Sequence, residues 1–320
     1  MTKPDILVVG DYAEYDHAPL QEDYTLWHMV EGGTPDHLPA EAFDAVRGIA
    51  FRGHSFLSGE IMDRFPNLGM IANLGVGYDT IDVAHAVSRG VLVSNTPDVL
   101  TEDVADLGIG LMIAWSRGIP GAQDWITNGQ WAQHGEYRLQ RKVSGKRAGI
   151  VGLGRIGRAV AERLVPFNID VSYFARAPKE TSGWRHYDDI AAMAADVDVL
   201  FVCVSGGPAT AGIVGKDALE ALGPAGLLVN ISRGTTVDET ALLDALETRA
   251  IAGAALDVFL NEPQIDPRFL ALDNVLLSPH HSSGTIETRT QMGALQRENL
   301  AAFFAGRELI TPVPECVQPH

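Results

Sequence analysis

The sequence predicts an α/β protein with two doubly wound parallel-sheet domains. Short apolar segments alternate with segments of helical periodicity twice along the 320 residues, which is the pattern of strands and helices in such sheets. One long, mostly apolar helix predicted over residues 101–116 separates the two series. A chain of this length is sufficient for two ordinary domains.

The first series covers residues 6–94. Its predicted strands are residues 6–9, 45–52, 70–74 and 91–94, and its predicted helices are residues 59–65 and 80–89. After the helix at 101–116, residues 118–145 have a looser pattern. Trp115, Trp125 and Trp131 are crowded into this region, where they either pack in a core or form a subunit contact.

The second series is more regular. Its predicted strands lie near residues 148–152, 169–174, 198–203, 226–230, 252–257 and 275–278, and its predicted helices near 155–165, 187–195, 215–222 and 238–248. A further helix is expected over residues 285–305. Six strands with a glycine-rich turn after the first are typical of a Rossmann fold, which binds ligands at the carboxyl ends of its strands.

The glycine-rich turn after the first strand of the second series is the most specific motif of the chain. Gly152, Gly154 and Gly157 have the spacing G-x-G-x-x-G between an apolar strand and an amphipathic helix. The first glycine permits the tight turn, the second lets the backbone approach phosphates, and the third lets the helix lie close to the strand. Because both flanks have the required character, the motif predicts a dinucleotide site.

Composition limits the partners. The formal net charge of -17 argues against nucleic acid or an anionic membrane as the main partner. The two cysteines, Cys203 and Cys316, provide neither a disulfide framework nor zinc-ligand spacing, and we predict no metal site. The first apolar run is too short for a signal peptide and no run reaches transmembrane length, so we expect a cytoplasmic protein.

The second strand of the Rossmann series bears on the choice of dinucleotide. An acidic residue at its end would bind the ribose 2′-OH of NAD, but here the strand is followed by Ala175-Arg176-Ala177-Pro178-Lys179. Arg176 and Lys179 either pair with the 2′-phosphate of NADPH or are ordinary surface charges. Their position favours NADPH over NAD.

Arg233, Glu262 and His280 each follow a predicted strand of the second series. Each residue by itself is common in a surface loop or turn, but three such side chains at one sheet edge indicate a reaction. A guanidinium can hold a carboxylate and polarise a ketone, and an imidazolium can donate a proton while a carboxylate orients it. The set suits the reduction of a 2-oxo acid, with His280 rather than His281 as proton donor.

The sequence resembles the D-isomer-specific 2-hydroxyacid dehydrogenase family, and within it the NADPH-linked glyoxylate/hydroxypyruvate reductases. The resemblance is carried by residues 74–82, 101–106, 151–157, 230–234, 253–263 and 278–289. The family implies a homodimer and a Rossmann domain inserted into a flavodoxin-like domain. We therefore expect a discontinuous substrate domain over residues 1–98 and 286–320, and an NADP-binding domain over residues 99–285.

The resemblance also implies site residues. Its arginine, glutamate and histidine correspond to Arg233, Glu262 and His280. The expected cofactor contacts are Gly152, Gly154, Arg155, Ile156, Gly157, Ala175, Arg176, Ile231, Ser232, Thr101 and Asp257, the last near the nicotinamide carboxamide. The N–H groups of Val76 and Gly77 are expected to bind the substrate carboxylate, and Arg52 either adds positive charge there or is a surface residue.

The predicted activity is NADPH-dependent reduction of glyoxylate or hydroxypyruvate to glycolate or D-glycerate. The nicotinamide supplies the hydride and His280 the proton. One alternative is a reductase of a bulkier acid, 2-ketogluconate or an aryl pyruvate. A second alternative is a non-enzymatic NADPH sensor, which the complete arginine, glutamate and histidine set disfavours.

Overall fold

The computed structural model describes residues 3–317. The chain divides into two compact units, Met1–Leu100 with Ser283–His320, and Thr101–Ser282. The domain boundaries expected from the sequence, after residues 98 and 285, stay a prediction. The first two and the last three residues of the expected substrate domain are outside the described residues.

The strands are numbered in chain order. They are β1 (Asp5–Val9), β2 (Thr25–Met29), β3 (Val46–Phe51), β4 (Met70–Asn73), β5 (Leu92–Ser94), β6 (Arg147–Val151), β7 (Asp170–Phe174), β8 (Arg185–Tyr187), β9 (Val199–Val202), β10 (Leu227–Asn230), β11 (Gly253–Leu256) and β12 (Val275–Leu277).

The helices are numbered in the same way. They are α1 (Glu14–Asp23), α2 (Ala40–Ala45), α3 (Gly59–Asp63), α4 (Val83–Ser88), α5 (Thr101–Arg117), α6 (Ile119–Thr127), α7 (Gln130–His134), α8 (Arg155–Leu164), α9 (Ile190–Ala195), α10 (Lys216–Leu222), α11 (Glu239–Glu247) and α12 (Ile286–Phe304). Among residues 3–317, none of these helices has both the length and the apolar character to cross a bilayer.

Both units contain a fully parallel sheet. The first unit has the order β2-β1-β3-β4-β5, which is the flavodoxin-like order. The second has the order β12-β11-β10-β9-β6-β7-β8, which is the Rossmann order with one more strand at its edge. The predicted fold class is confirmed.

Central strands of both sheets are mostly apolar, because helices cover both faces of a doubly wound sheet. In the second unit β9, β10 and β11 are buried at every residue, and Leu200, Phe201 and Leu228 are completely inaccessible to solvent. This packing fixes the strand ends that carry the functional loops.

The elements that the sequence analysis missed are short, polar or at a sheet edge. Helix α1 buries only Asp16 and Leu20, so it lacks an apolar stripe. Strand β8 was not predicted, and only its last residue, Tyr187, fell within the helix predicted over 187–195. That helix instead begins at Ile190 after the N-cap Asp189. Helices α6 and α7 bury no residue, and they occupy the region where no element was predicted.

Candidate active site

Three neighbouring strand ends of the second unit carry the predicted catalytic residues. Asn230 at the end of β10 is in register with Leu256 of β11, and Leu256 is in register with Leu277 of β12. The loops that follow these strands therefore begin side by side at the carboxyl edge of the sheet, and they contain Arg233, Glu262 and His280.

Glu262 and His280 form a direct hydrogen bond. His280 Nδ1 lies 2.6 Å from Glu262 Oε2, and the two side chains are only 23% and 16% exposed. The other carboxylate oxygen, Oε1, accepts the backbone N–H of Phe259 at 2.8 Å. Because both of its carboxylate oxygens accept hydrogen bonds, Glu262 fixes the orientation of the imidazole. The proton on Nδ1 is used in the bond to Glu262, so Nε2 is the nitrogen that can exchange a proton with a ligand.

The backbone of His280 adopts a left-handed conformation, with φ of 49°. This conformation is uncommon for a residue with a side chain and persists only where surrounding contacts impose it. The N–H of His280 donates to the Asp257 carbonyl at 2.8 Å. The strained backbone thus marks the position where the sequence analysis placed the proton donor.

Asp257 holds the loop that contains His280. Its fully buried carboxylate accepts the N–H groups of His281 and Ser282 at 2.8 and 2.9 Å, and also the hydroxyl of Ser278. Asp257 is expected from the resemblance to lie near a nicotinamide carboxamide, and that contact stays a prediction. The supporting role for the loop was not foreseen.

The Arg233 loop is held from two sides. Asn230 Nδ2 and Thr236 Oγ1 donate to the Arg233 carbonyl at 3.0 and 2.6 Å. A Cβ on Gly234 would lie 2.0 Å from the carbonyl carbon of Phe259, so the loops after β10 and β11 touch at a point where only glycine fits. This contact brings the Arg233 loop beside the loop of Glu262.

The glycine-rich turn has the geometry of a phosphate site. Gly152 has φ of 95°, and a Cβ on Gly157 would lie 2.1 Å from the Gly152 carbonyl oxygen, so neither position accepts a side chain. Gly154 precedes α8 and offers no capping side chain, and a Cβ on it would meet no atom within 4 Å. An open, uncapped N-terminus of a ten-residue helix fits a dinucleotide diphosphate.

The segment after β7 is tied to the glycine-rich turn. Ala175 and Arg176 follow directly after β7, and the Arg176 side chain is exposed. Lys179 Nζ donates to the Leu153 carbonyl at 2.7 Å, and the Tyr173 hydroxyl accepts the Lys179 N–H at 2.8 Å. Of the two cations considered for a 2′-phosphate, Lys179 therefore already has a partner within the protein.

The remaining predicted cofactor residues lie at the same edge or on α5. Ser232 Oγ donates to the Val204 carbonyl and links the loops after β10 and β9. Ile231 is buried, and a Cβ on Gly108 of α5 would lie 2.8 Å from its Cδ1. Thr101 is the first residue of α5, and Arg155 and Ile156 are the first two residues of α8.

The predicted substrate-binding residues belong to the first unit. Arg52 follows β3, and its guanidinium donates to the Asp11 carbonyl. Val76 and Gly77 lie in the loop after β4. Since Phe51 is in register with Asn73, both segments begin at one edge of the five-stranded sheet.

The fold and the site define a dinucleotide-dependent oxidoreductase with an arginine, glutamate and histidine set. The model of the D-isomer specific 2-hydroxyacid dehydrogenase NAD binding domain matches residues 109–282. The chain belongs to this family.

Similar proteins have related activities. A hydroxyphenylpyruvate reductase of Plectranthus scutellarioides is 39% identical, and the aligned region covers 96% of this chain and 98% of that protein. A 2-ketogluconate reductase of Gluconobacter oxydans is 41% identical, and the aligned region covers 98% of this chain and 99% of that protein. An NADPH-dependent glyoxylate/hydroxypyruvate reductase of Sinorhizobium meliloti, solved with NADP and malonate, is 41% identical over 98% of both chains with a TM-score of 0.94.

Proposed function

We propose that the protein uses NADPH to reduce glyoxylate and hydroxypyruvate to glycolate and D-glycerate. The hydrogen bond between Glu262 and His280 is the observation that carries the proposal, because it prepares an imidazole for proton donation at the edge where a Rossmann sheet binds its cofactor. When bound, the dinucleotide supplies the hydride.

The protein's own residues have separate tasks in this proposal. Arg233 binds the substrate carboxylate and polarises the ketone. His280 Nε2 donates a proton to the ketone oxygen as carbon is reduced, and Glu262 keeps the ring in position and balances its charge. The N–H groups of Val76 and Gly77 bind the carboxylate, with Arg52 adding positive charge.

Substitution of the catalytic residues tests the activity. Arg233→Ala and His280→Ala should each reduce kcat/KM for glyoxylate by about a hundredfold or more, while the Kd for NADPH stays near that of the wild type. His281→Ala is the matched control, since its exposed side chain has no role in the proposal. Normal turnover by both variants would refute the mechanism.

The similarity to a 2-ketogluconate reductase and a hydroxyphenylpyruvate reductase supports a second candidate, reduction of a bulkier 2-oxo acid. Values of kcat/KM for glyoxylate, hydroxypyruvate, 2-ketogluconate and phenylpyruvate distinguish the two. The proposal requires the two small acids to rank first. Tight NADPH binding without oxidation by any of the four acids would instead indicate a sensor.

We also propose a preference for NADPH over NADH, based on Arg176. The residues that follow β7 include no carboxylate up to Lys179, and the exposed Arg176 follows the strand after which a Rossmann fold binds the adenosine ribose. Arg176→Ala should raise the KM for NADPH about tenfold and leave the KM for NADH unchanged. The exposed Arg185 on the neighbouring strand provides the control variant, Arg185→Ala.

A cytoplasmic location stays a prediction.

The proposed assembly is a homodimer. Helices α6 and α7 bury no residue, and Ile126 and Trp131 are 57% and 61% exposed. The other two tryptophans of this region make contacts within the protein. The indole N–H of Trp115 donates to the Asn274 carbonyl, and that of Trp125 donates to the Gly135 carbonyl.

Light scattering tests the assembly. The double variant Ile126→Glu with Trp131→Glu should run as a monomer, because charges on both apolar positions oppose burial. Leu270→Glu, at another exposed apolar residue of the same unit, should keep the wild-type mass. A wild-type monomer would contradict the proposal.

A further inference from the structure

Two asparagine side chains hold the loop after β4 by its carbonyl groups. Asn73 Nδ2 donates to the carbonyl oxygens of Gly75 and Gly77 at 3.0 and 2.9 Å. Asn95 Nδ2 donates to the Val76 carbonyl between them at 2.9 Å. Three consecutive carbonyls of the loop are therefore bound by amide groups of the first unit.

This arrangement sets the direction of the N–H groups. In a trans peptide unit the C=O and the following N–H point in opposite directions, and these peptide units are trans. The N–H groups of Val76 and Tyr78 thus point away from Asn73, and that of Gly77 points away from Asn95. Among the residues from 3 to 317, none provides an acceptor for these three N–H groups.

Both asparagines are anchored on rigid parts of the sheet. Asn73 is the last residue of β4, is 3% exposed and is in register with Phe51. Asn95 directly follows β5, and its backbone N–H and carbonyl both bond to Thr311, at 3.2 and 2.6 Å. These positions require a hydrogen-bond donor, because an aspartate would place a carboxylate against the loop carbonyls.

We propose that Asn73 and Asn95 are positioning residues for the substrate carboxylate. By binding the carbonyls, they hold the loop in the conformation in which its N–H groups face an anion, and the Tyr78 N–H joins those of Val76 and Gly77 as a donor. This inference rests on the proposed function, which assigns the 2-oxo acid carboxylate to this loop, and it adds the residues that make the loop a binding site.

The test measures carboxylate binding separately from turnover. Oxamate, an unreactive mimic of a 2-oxo acid, is titrated calorimetrically into the NADPH-loaded wild type, Asn95→Ala and Asn95→Asp. The Ala variant should raise the oxamate Kd and the glyoxylate KM about tenfold, because a hydrogen bond that orients the loop is lost. The isosteric Asp variant should raise both further, since its carboxylate repels the Val76 carbonyl.

The controls separate positioning from general damage to the fold. The KM for NADPH should not change in either variant, because the glycine-rich turn belongs to the second unit. Asn67→Ala removes a comparable side-chain bond, from Nδ2 to the Asp44 carbonyl at 2.8 Å, and should bind oxamate like the wild type.

Wild-type oxamate affinity in Asn95→Asp would overturn the inference and leave the proposed function intact. An equal rise in the KM for NADPH and for glyoxylate would overturn it as well, since loss of folding then explains both. A wild-type protein that neither binds oxamate nor reduces glyoxylate would refute the proposed function itself, and the inference with it.

Discussion

At the scale of single residues, the proposed site depends on groups that hold Arg233 and His280 in place. The Asp257 carboxylate accepts hydrogen bonds from Ser278, His281 and Ser282 of the His280 loop. The side chains of Asn230 and Thr236 donate to the backbone carbonyl of Arg233. Asn230 was visible beside the predicted Arg233, but nothing in its spacing indicated which backbone atom it binds. The partners His281 and Ser282 are 24 and 25 residues away from Asp257 in sequence, so these contacts form only when the two loops come together.

Glu262→Gln tests the carboxylate at this scale. We expect kcat to fall about a hundredfold, because glutamine lacks the negative charge and can no longer accept from both the imidazole and the Phe259 N–H. Steady-state kinetics with saturating NADPH provide the measurement. Glu239→Gln is the control, since Glu239 also accepts a loop N–H, from Leu260 at 2.9 Å. Equal activity in the two variants would contradict the assigned role.

At the scale of elements, each functional loop follows a strand whose end is fixed by its neighbours. The glycine-rich turn joins β6 to α8, and its geometry leaves no room for a Cβ at Gly157. Lys179 ties the segment after β7 to this turn through Leu153. The cofactor side of the unit is therefore a set of linked loops and not a single motif.

Gly157→Ala should impair both stability and cofactor binding. Its Cβ would overlap the Gly152 carbonyl, so α8 must move away from the glycine-rich turn that precedes it. We expect a loss of about 2 kcal/mol in unfolding free energy, in the range of overpacked sites, and at least a tenfold rise in the Kd for NADPH. Urea unfolding and fluorescence titration measure these. Gly110→Ala, at a position of α5 where an added Cβ meets no atom within 4 Å, is the comparison for packing.

An ion pair between Arg147 of β6 and Asp198, the residue directly before β9, predicts acid sensitivity. Partial burial would raise the pKa of Asp198, but hydrogen bonds from the Arg147 side chain and N–H outweigh it and keep this pKa below its ordinary value. A lowered carboxyl pKa stabilises the fold above the unfolded-state pKa of about 3.9 and loses this contribution as the pH falls through the folded-state value.

Asp198→Asn should therefore be less stable than the wild type at pH 7, and the difference should shrink below pH ~4. Urea unfolding at a series of pH values provides the test. Asp23→Asn, on the exposed surface of α1, is the control. A stability difference that stays constant with pH would show that Asp198 acts through packing rather than charge.

At the scale of the whole molecule, each unit has its own apolar core. One core includes Leu200 and Leu228 of the second unit, and another includes Ile49 and Phe51 of the first. A ligand that binds one folded unit adds about 2.7 kcal/mol to that unit at a hundred times its Kd. The cofactor is assigned to the second unit alone.

Calorimetry should then show that NADPH raises the melting temperature of one transition more than the other. Gly157→Ala should abolish the selective shift, because it damages the turn that is proposed to bind the diphosphate. Equal shifts of both transitions in the wild type would contradict the assignment of the cofactor to the second unit. The same scan with oxamate alone tests the first unit.

The sequence by itself determined the fold class, the glycine-rich turn and the three catalytic candidates. Each depends on local information: apolar strands alternate with helices, glycines permit one turn, and functional residues follow strand ends. The sequence analysis missed α1, whose buried residues are too few to produce a periodicity, and the polar edge strand β8.

Only the tertiary structure decided the partners. Three contacts connect segments that no spacing rule relates: the bond of Glu262 to His280, the bond of Lys179 to Leu153, and the bond of Asn95 to the loop after β4. The physical reason is that hydrogen bonds between loops depend on strand register and on backbone direction. Both are fixed by packing of the whole sheet and not by the residues near each loop.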